Sequence, residues 1–122
     1  MTRQLAVLVA AIALCTSCQK FAEGKEMFRE LLTLRDQVAT EFHEKVVDVN
    51  LTKANEMTVK FMNSPLQSAS REAKQNRADE VAAFVASHYK HPLAKISTTF
   101  AIGAGARHVE ETFVGKNRRQ EP

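Results

Sequence analysis

Between residues 26 and 42 the apolar positions Met27, Phe28, Leu31, Leu32, Leu34, Val38, Ala39 and Phe42 recur mostly at i, i+3, i+4 and i+7. Glu26, Arg29, Glu30, Arg35, Asp36 and Glu41 fill most of the remaining positions. One side of a helix is then apolar and the other charged, so the spacing predicts a first amphipathic helix. The period next changes from 3.6 to 2. Val47, Val49 and Leu51 alternate with Asp48, Asn50 and Thr52, and Met57, Val59 and Phe61 alternate with Thr58 and Lys60. Two such runs around Lys53-Ala54-Asn55-Glu56 predict a β-hairpin, with Asn55 as the turn residue that best tolerates a left-handed backbone.

A stop and a helix start follow. Ser64 and Gln67 have capping-box spacing, Pro65 suits a first helical position, and Ser68 and Ser70 are rival caps. The second helix therefore begins between 65 and 71 and runs to about Tyr89, with an apolar stripe of Ala78, Val81, Ala82, Val85 and Tyr89 and with Phe84 beside it. Arg71, Glu72, Lys74, Gln75, Asn76, Arg77, Asp79 and Glu80 make its first half polar, and Lys90-His91-Pro92 end it. Ala94, Ile96, Thr98, Phe100 and Ile102 alternate with Lys95, Ser97 and Thr99 as a third strand. Gly103 to Ala106 read as a turn, and Val109, Thr112, Phe113 and Val114 predict a fourth strand over 107–114. From Gly115 the chain is polar and basic and reads as a frayed tail.

The order α-β-β-α-β-(β) has one simple packing solution. Both helices lie on the apolar face of one antiparallel sheet, giving a small α+β two-layer sandwich over 26–114. The other face of the sheet carries Asp48, Asn50, Thr52, Thr58 and Lys60. These residues form either an open polar surface for a partner or a face that is merely wet.

The start of the chain follows different rules. Arg3 precedes an uninterrupted apolar run over 5–14, and Thr16, Ser17 and Cys18 come just before polar Gln19 and Lys20. This is the charged, apolar and small-residue order of a cleavable secretory signal over 1–17. The run is well short of the ~20 residues that span a bilayer. Thr16-Ser17-Cys18 resembles the end of a bacterial lipobox, with Cys15 standing where that family usually has Leu, Val or Ile. The resemblance implies cleavage before Cys18, acylation of Cys18, and a membrane anchor followed by a short tether over 18–25. Gln19 after the cysteine is similar to the pattern sorted to an outer membrane, with the domain facing the periplasm. Ordinary cleavage with a free periplasmic or secreted product is the alternative. A redox reading of Cys15 and Cys18 lacks the βαβ setting such pairs occupy.

Removing 17 of 122 residues leaves 105, enough for one domain with a usable core. The formal charge of +3 falls to +2 once Arg3 is lost, and Lys and Arg are interspersed with Glu and Asp. That pattern lacks the basic stripe that a phosphate backbone requires, which argues against a nucleic-acid partner. Beyond Cys18 there is no cysteine, so the mature chain carries no disulfide and no Cys-ligated zinc.

The histidines are His43, His88, His91 and His108. His88 and His91 have i, i+3 spacing, but His91 precedes Pro92 and is biased away from helical geometry. Both read as polar residues at a helix C-terminus, where positive charge is favoured. His43-Glu44 reads as a solvated corner. Alternation puts His108 and Glu110 on one face and Glu111 on the other. No serine lies in a nucleophile motif, and Gly103 with Gly105 lacks the third glycine and helix of a phosphate loop. The sequence thus predicts a non-enzyme without cofactor or metal.

The helix–strand–strand–helix–strand order through Val47–Leu51, Met57–Phe61, the helix through Val85, and Ile96–Phe100 is similar to the BON domain of bacterial envelope proteins. That resemblance implies a membrane-associated binding module, with Lys74, Arg77, Lys90 and Lys95 as candidate phospholipid contacts. Three expectations result. The first is a lipid-anchored envelope protein that binds another envelope component or plays a structural role. The second is a BON-like phospholipid-associated module. The third is a small periplasmic hydrolase or metal-binding protein using His88, His91 or His108.

Overall fold

Residues 24–42 form helix α1. The strands are β1 (Val47–Leu51), β2 (Glu56–Met62), β3 (Lys95–Ala104) and β4 (Arg107–Val114), and helix α2 (Arg71–His88) lies between β2 and β3. The computed structural model describes residues 24–104 and 107–116, the side chains of 104, 107 and 108 excepted. The expected signal over 1–17, Cys18, most of the expected tether, the turn residues 105–106 and the chain from 117 onward lie outside the described residues. The chain divides into two compact units, Met1–Glu30 and Leu31–Pro122. In the first, residues 24–30 are helical. The second contains the sheet, α2 and the rest of α1.

The α+β sandwich holds: helices pack against a four-stranded sheet of order β1-β2-β3-β4. The fourth strand is present at the predicted positions. The sheet is mixed, however, and the all-antiparallel expectation is corrected at its centre. β1 with β2 and β3 with β4 are antiparallel pairs, but β2 and β3 run parallel, with Val59 opposite Thr98 and Phe61 opposite Phe100. The cause is α2. A parallel neighbour needs a crossover, usually helical, and α2 carries the chain from the end of β2 back to the level where β2 began.

The core lies between the helices and one face of the sheet. Leu34 and Val38 of α1, Met57, Val59 and Phe61 of β2, Ala78, Val81, Ala82 and Val85 of α2, Ile96 and Phe100 of β3 and Phe113 of β4 are buried together. Ring contacts link Phe84, Phe42, Phe61, Phe100 and Phe113 in series, with centroid separations of 5.7, 6.4, 5.8 and 6.0 Å. Each fully buried phenylalanine or valine contributes about 1.5–3 kcal/mol relative to an exposed one. Thr98 sits on the same apolar face, fully buried, and its hydroxyl has no hydrogen-bond partner.

Helix ends are set by polar residues. His43 adopts φ 54°, and the Glu44 N–H donates to Ala39 O at 3.0 Å, which closes α1 with a Schellman-type bond. Ser64 accepts from the Leu66 N–H and starts a 3-10 turn over Pro65–Ser68, and Ser70 then caps α2 by accepting from the Ala73 N–H. Two of the rival caps are thus used in succession. Gln67 does not complete a capping box: its side-chain oxygen is buried without a partner. The Ser64 hydroxyl also donates to the buried Glu44 carboxylate at 2.6 Å, joining the end of α1 to the start of the turn. His43-Glu44 is therefore only half the solvated corner expected, because Glu44 is buried. Asn55 adopts φ 58° in the hairpin turn, as its tolerance of the left-handed region suggests.

Two further features differ from expectation. Lys74 is on the buried stripe of α2, four residues before Ala78, and its ammonium donates to Glu111 at 3.2 Å. Its side chain is 5% exposed against 41% for Glu111, so the carboxylate holds the lysine's charge at the boundary between core and water. Nor does fraying begin at Gly115. The Gly115 N–H donates to Ile96 O at 2.9 Å, and the Lys116 N–H donates to Asp79 Oδ1 at 3.0 Å. Gly115 faces α2 so closely that a Cβ there would meet Ala82 Cβ at 2.5 Å and Ala78 O at 2.6 Å. Only glycine fits this contact.

Candidate functional site: the polar face of the sheet

Strand alternation sends Met57, Val59 and Phe61 to the core and Thr58 and Lys60 to the opposite face. Register then assembles that face from all four strands. One row is Asn50, Thr58, Ser97 and Val114, and the next is Asp48, Lys60, Thr99 and Thr112. The sequence-predicted residues Asp48, Asn50, Thr58 and Lys60 are therefore brought together as two adjacent cross-strand pairs. Thr52 is past the end of β1. Its N–H donates to Glu56 O at 2.9 Å and its hydroxyl accepts from the Glu56 N–H at 3.3 Å, so it closes the hairpin.

Sequence reasoning missed the other half of this face. Ser97, Thr99, Glu110 and Thr112 belong to it, and their alternation in β3 and β4 was visible. What was missing was the parallel register that sets β3 beside β2. Lys60 and Glu110 form an ion pair that reaches from β2 to β4 across β3. Beneath it lie Thr99, opposite Lys60, and Ala101, opposite Glu110, and both are buried. The Thr99 and Thr112 hydroxyls are 2.9 Å apart and satisfy one another. The face is thus divided. Its centre and β4 side are closed by paired groups, while its β1 side leaves Asp48 and Asn50 exposed beside half-buried Thr58. Such a surface offers a carboxylate, an amide and a hydroxyl for hydrogen bonding, with a lysine one strand away held by an acid.

The other candidate residues are dispersed. His88 stacks on Phe84 with ring centroids 3.9 Å apart. Its Nδ1 is 2.8 Å from Phe84 O, and because a carbonyl only accepts, Nδ1 carries the proton. His91 packs edge-on against Tyr89 at 5.3 Å. The His108 side chain lies outside what is described, although its backbone pairs with Gly103. Among the described residues no three His, Cys, Asp or Glu side chains gather in a metal-binding group. Of the basic residues proposed to meet phospholipid, Lys74 is buried and Arg77 lies over the Phe42 ring at 5.1 Å and pairs with Glu80, while Lys90 and Lys95 are exposed. An open cleft of about 280 Å³ borders α2, lined by Asp79, Glu80, Ala83 and Lys116. Its Asp79 is already occupied by the Gln75 amide and the Lys116 N–H.

No helix among the described residues is long and apolar enough to cross a membrane. No protein-family model matches the chain, and no curated protein or solved structure matches it either.

Proposed function

We propose that this is an exported, lipid-anchored envelope protein whose α+β domain is a non-catalytic binding or structural module. The observation that carries the reading is the order Arg3, apolar 5–14, Thr16-Ser17-Cys18, then Gln19 and Lys20. That order supplies a cleavage point and an acceptor thiol in one place. A diacylglyceryl group on Cys18 would place two acyl chains in the bilayer, enough for stable attachment.

The β1 side of the polar face is the surface we assign to a partner. Asp48 and Asn50 are exposed on a short edge strand, with Thr58 beside them, and their hydrogen-bonding groups are not used up by the paired residues over β3. An envelope component with complementary donors and acceptors suits this surface.

Two experiments test the two halves of the proposal. Cys18→Ser should release the protein from the membrane fraction of its native cell, and retention at the wild-type level would contradict a lipid anchor on that residue. A photo-crosslinking residue at Asp48 or Asn50 should yield a discrete adduct in intact envelopes, whereas one at Asn76 on the outer side of α2 should not. Equal labelling from all three positions would contradict the assignment of the polar face.

A further inference from the structure

The first turns of α1 carry large apolar side chains that are exposed. Val38 and Leu34 are buried and Leu31 is half-buried, but Met27 is 45% exposed and Phe28 62% exposed. Large apolar side chains exposed next to one another on a helix surface mark a candidate contact. In the sequence Met27 keeps the helical spacing of Leu31 and Leu34, and Phe28 is the next residue, so the two form one apolar patch at the start of the helix.

Their distance along the chain from Cys18 is short. Six residue steps take the chain from Cys18 to Gly24, at most about 22 Å even when fully extended. Four more residues of helix add about 6 Å to reach Phe28. Residues 25–30 are Lys, Glu, Met, Phe, Arg and Glu, a balanced set with no net charge. Electrostatic attraction to anionic lipid therefore contributes little here, and apolar burial is the available driving force.

We infer that Met27 and Phe28 insert into the interfacial layer of the bilayer that anchors Cys18, making the start of α1 a second membrane contact. The inference rests on the lipid-anchored reading. An apolar helix face laid into the headgroup boundary takes these side chains out of water and fixes how the helix meets the surface.

The chain contains no tryptophan, so Phe28→Trp places a single reporter at the contact. Glu26→Trp is the control, at nearly the same distance from Cys18 but on the opposite side of the helix. The full acylated protein is reconstituted into vesicles of phosphatidylethanolamine and phosphatidylglycerol. Flotation and mass spectrometry establish that it is bound and that Cys18 carries lipid. The indole of the Phe28→Trp variant should then emit at shorter wavelength than that of the control and be quenched by brominated acyl chains, and added salt should leave both signals unchanged. Water-like emission from Phe28→Trp in vesicle-bound, acylated protein overturns the contact and leaves the anchor standing. Equal quenching at 26 and 28 also overturns it, because proximity alone would then explain the signal. An unmodified Cys18 removes the anchor itself, and the contact with it.

Discussion

Gly115→Ala tests the packing of the strand end on α2 more sharply than any other single change. The added Cβ would stand 2.5 Å from Ala82 Cβ and 2.6 Å from Ala78 O. Carbon pairs prefer ~3.5–4.0 Å, so the new methyl intrudes by about 1 Å. The Ala78 oxygen is helix backbone and Ala82 Cβ has no torsion that moves it away. Relief must come from separating β4 from α2, which strains the Gly115–Ile96 bond and the Gln75 and Asp79 contacts to Val114 O and the Lys116 N–H. Overpacking costs typically 1–3 kcal/mol, and a rigid neighbour on each side points to the upper half of that range, about 2–3 kcal/mol. For a domain of this size that lowers the melting temperature by roughly 10–20 °C. Gly24→Ala is the matched control, since a Cβ there meets nothing within 4 Å and the position is helical. It should be neutral, or stabilising by up to about 1 kcal/mol. Circular dichroism during urea and thermal unfolding of both variants gives the comparison. If Gly115→Ala unfolds within about 0.5 kcal/mol of the parent, the range of an ordinary surface change, the close approach of β4 and α2 is refuted.

Two other substitutions probe polar groups in the interior. Thr98→Val keeps the shape of the side chain and removes a hydroxyl that is buried without a partner, so it should stabilise by about 1 kcal/mol or more in urea unfolding. A loss of stability would mean that the hydroxyl is satisfied. Ser64→Ala removes both the cap on the Leu66 N–H and the donor to the buried Glu44 carboxylate, and should cost about 2–3 kcal/mol. Glu44→Gln keeps an acceptor for Ser64 and should cost less; the reverse ranking would contradict the link between α1 and the 3-10 turn.

The elements were legible wherever one period dominated. β1, β2 and β3 follow from alternation, β4 from its apolar and β-branched residues, α2 from its stripe, and the Asn55 turn from residue chemistry. Alternation also placed Thr98 among the apolar residues of β3, where it is found. The parallel pairing of β2 and β3 was not legible, because periodicity says which face a residue occupies and nothing about the direction of a neighbouring strand. Lys74 shows a different limit. Its spacing to Ala78 and Val81 marks a core-facing position, but its charge reads as solvent, and only the fold brings Glu111 within reach. The candidate site was half visible for the same reasons. Asp48, Asn50, Thr58 and Lys60 could be grouped within one hairpin, while the closure of the face by Lys60 and Glu110 depends on residues 50 positions apart in sequence. Gly115 was read as the start of a tail because a glycine leading into polar and basic residues usually marks slack. Here its missing side chain admits the helix.

The central claim concerns where the working chain begins and what it carries there. Mass spectrometry of the intact protein isolated from its native host tests it most directly. The expected result is a first residue of Cys18 bearing a diacylglyceryl-type mass increase, with residues 1–17 gone. A chain that still begins at Met1 with an unmodified Cys18 would contradict it.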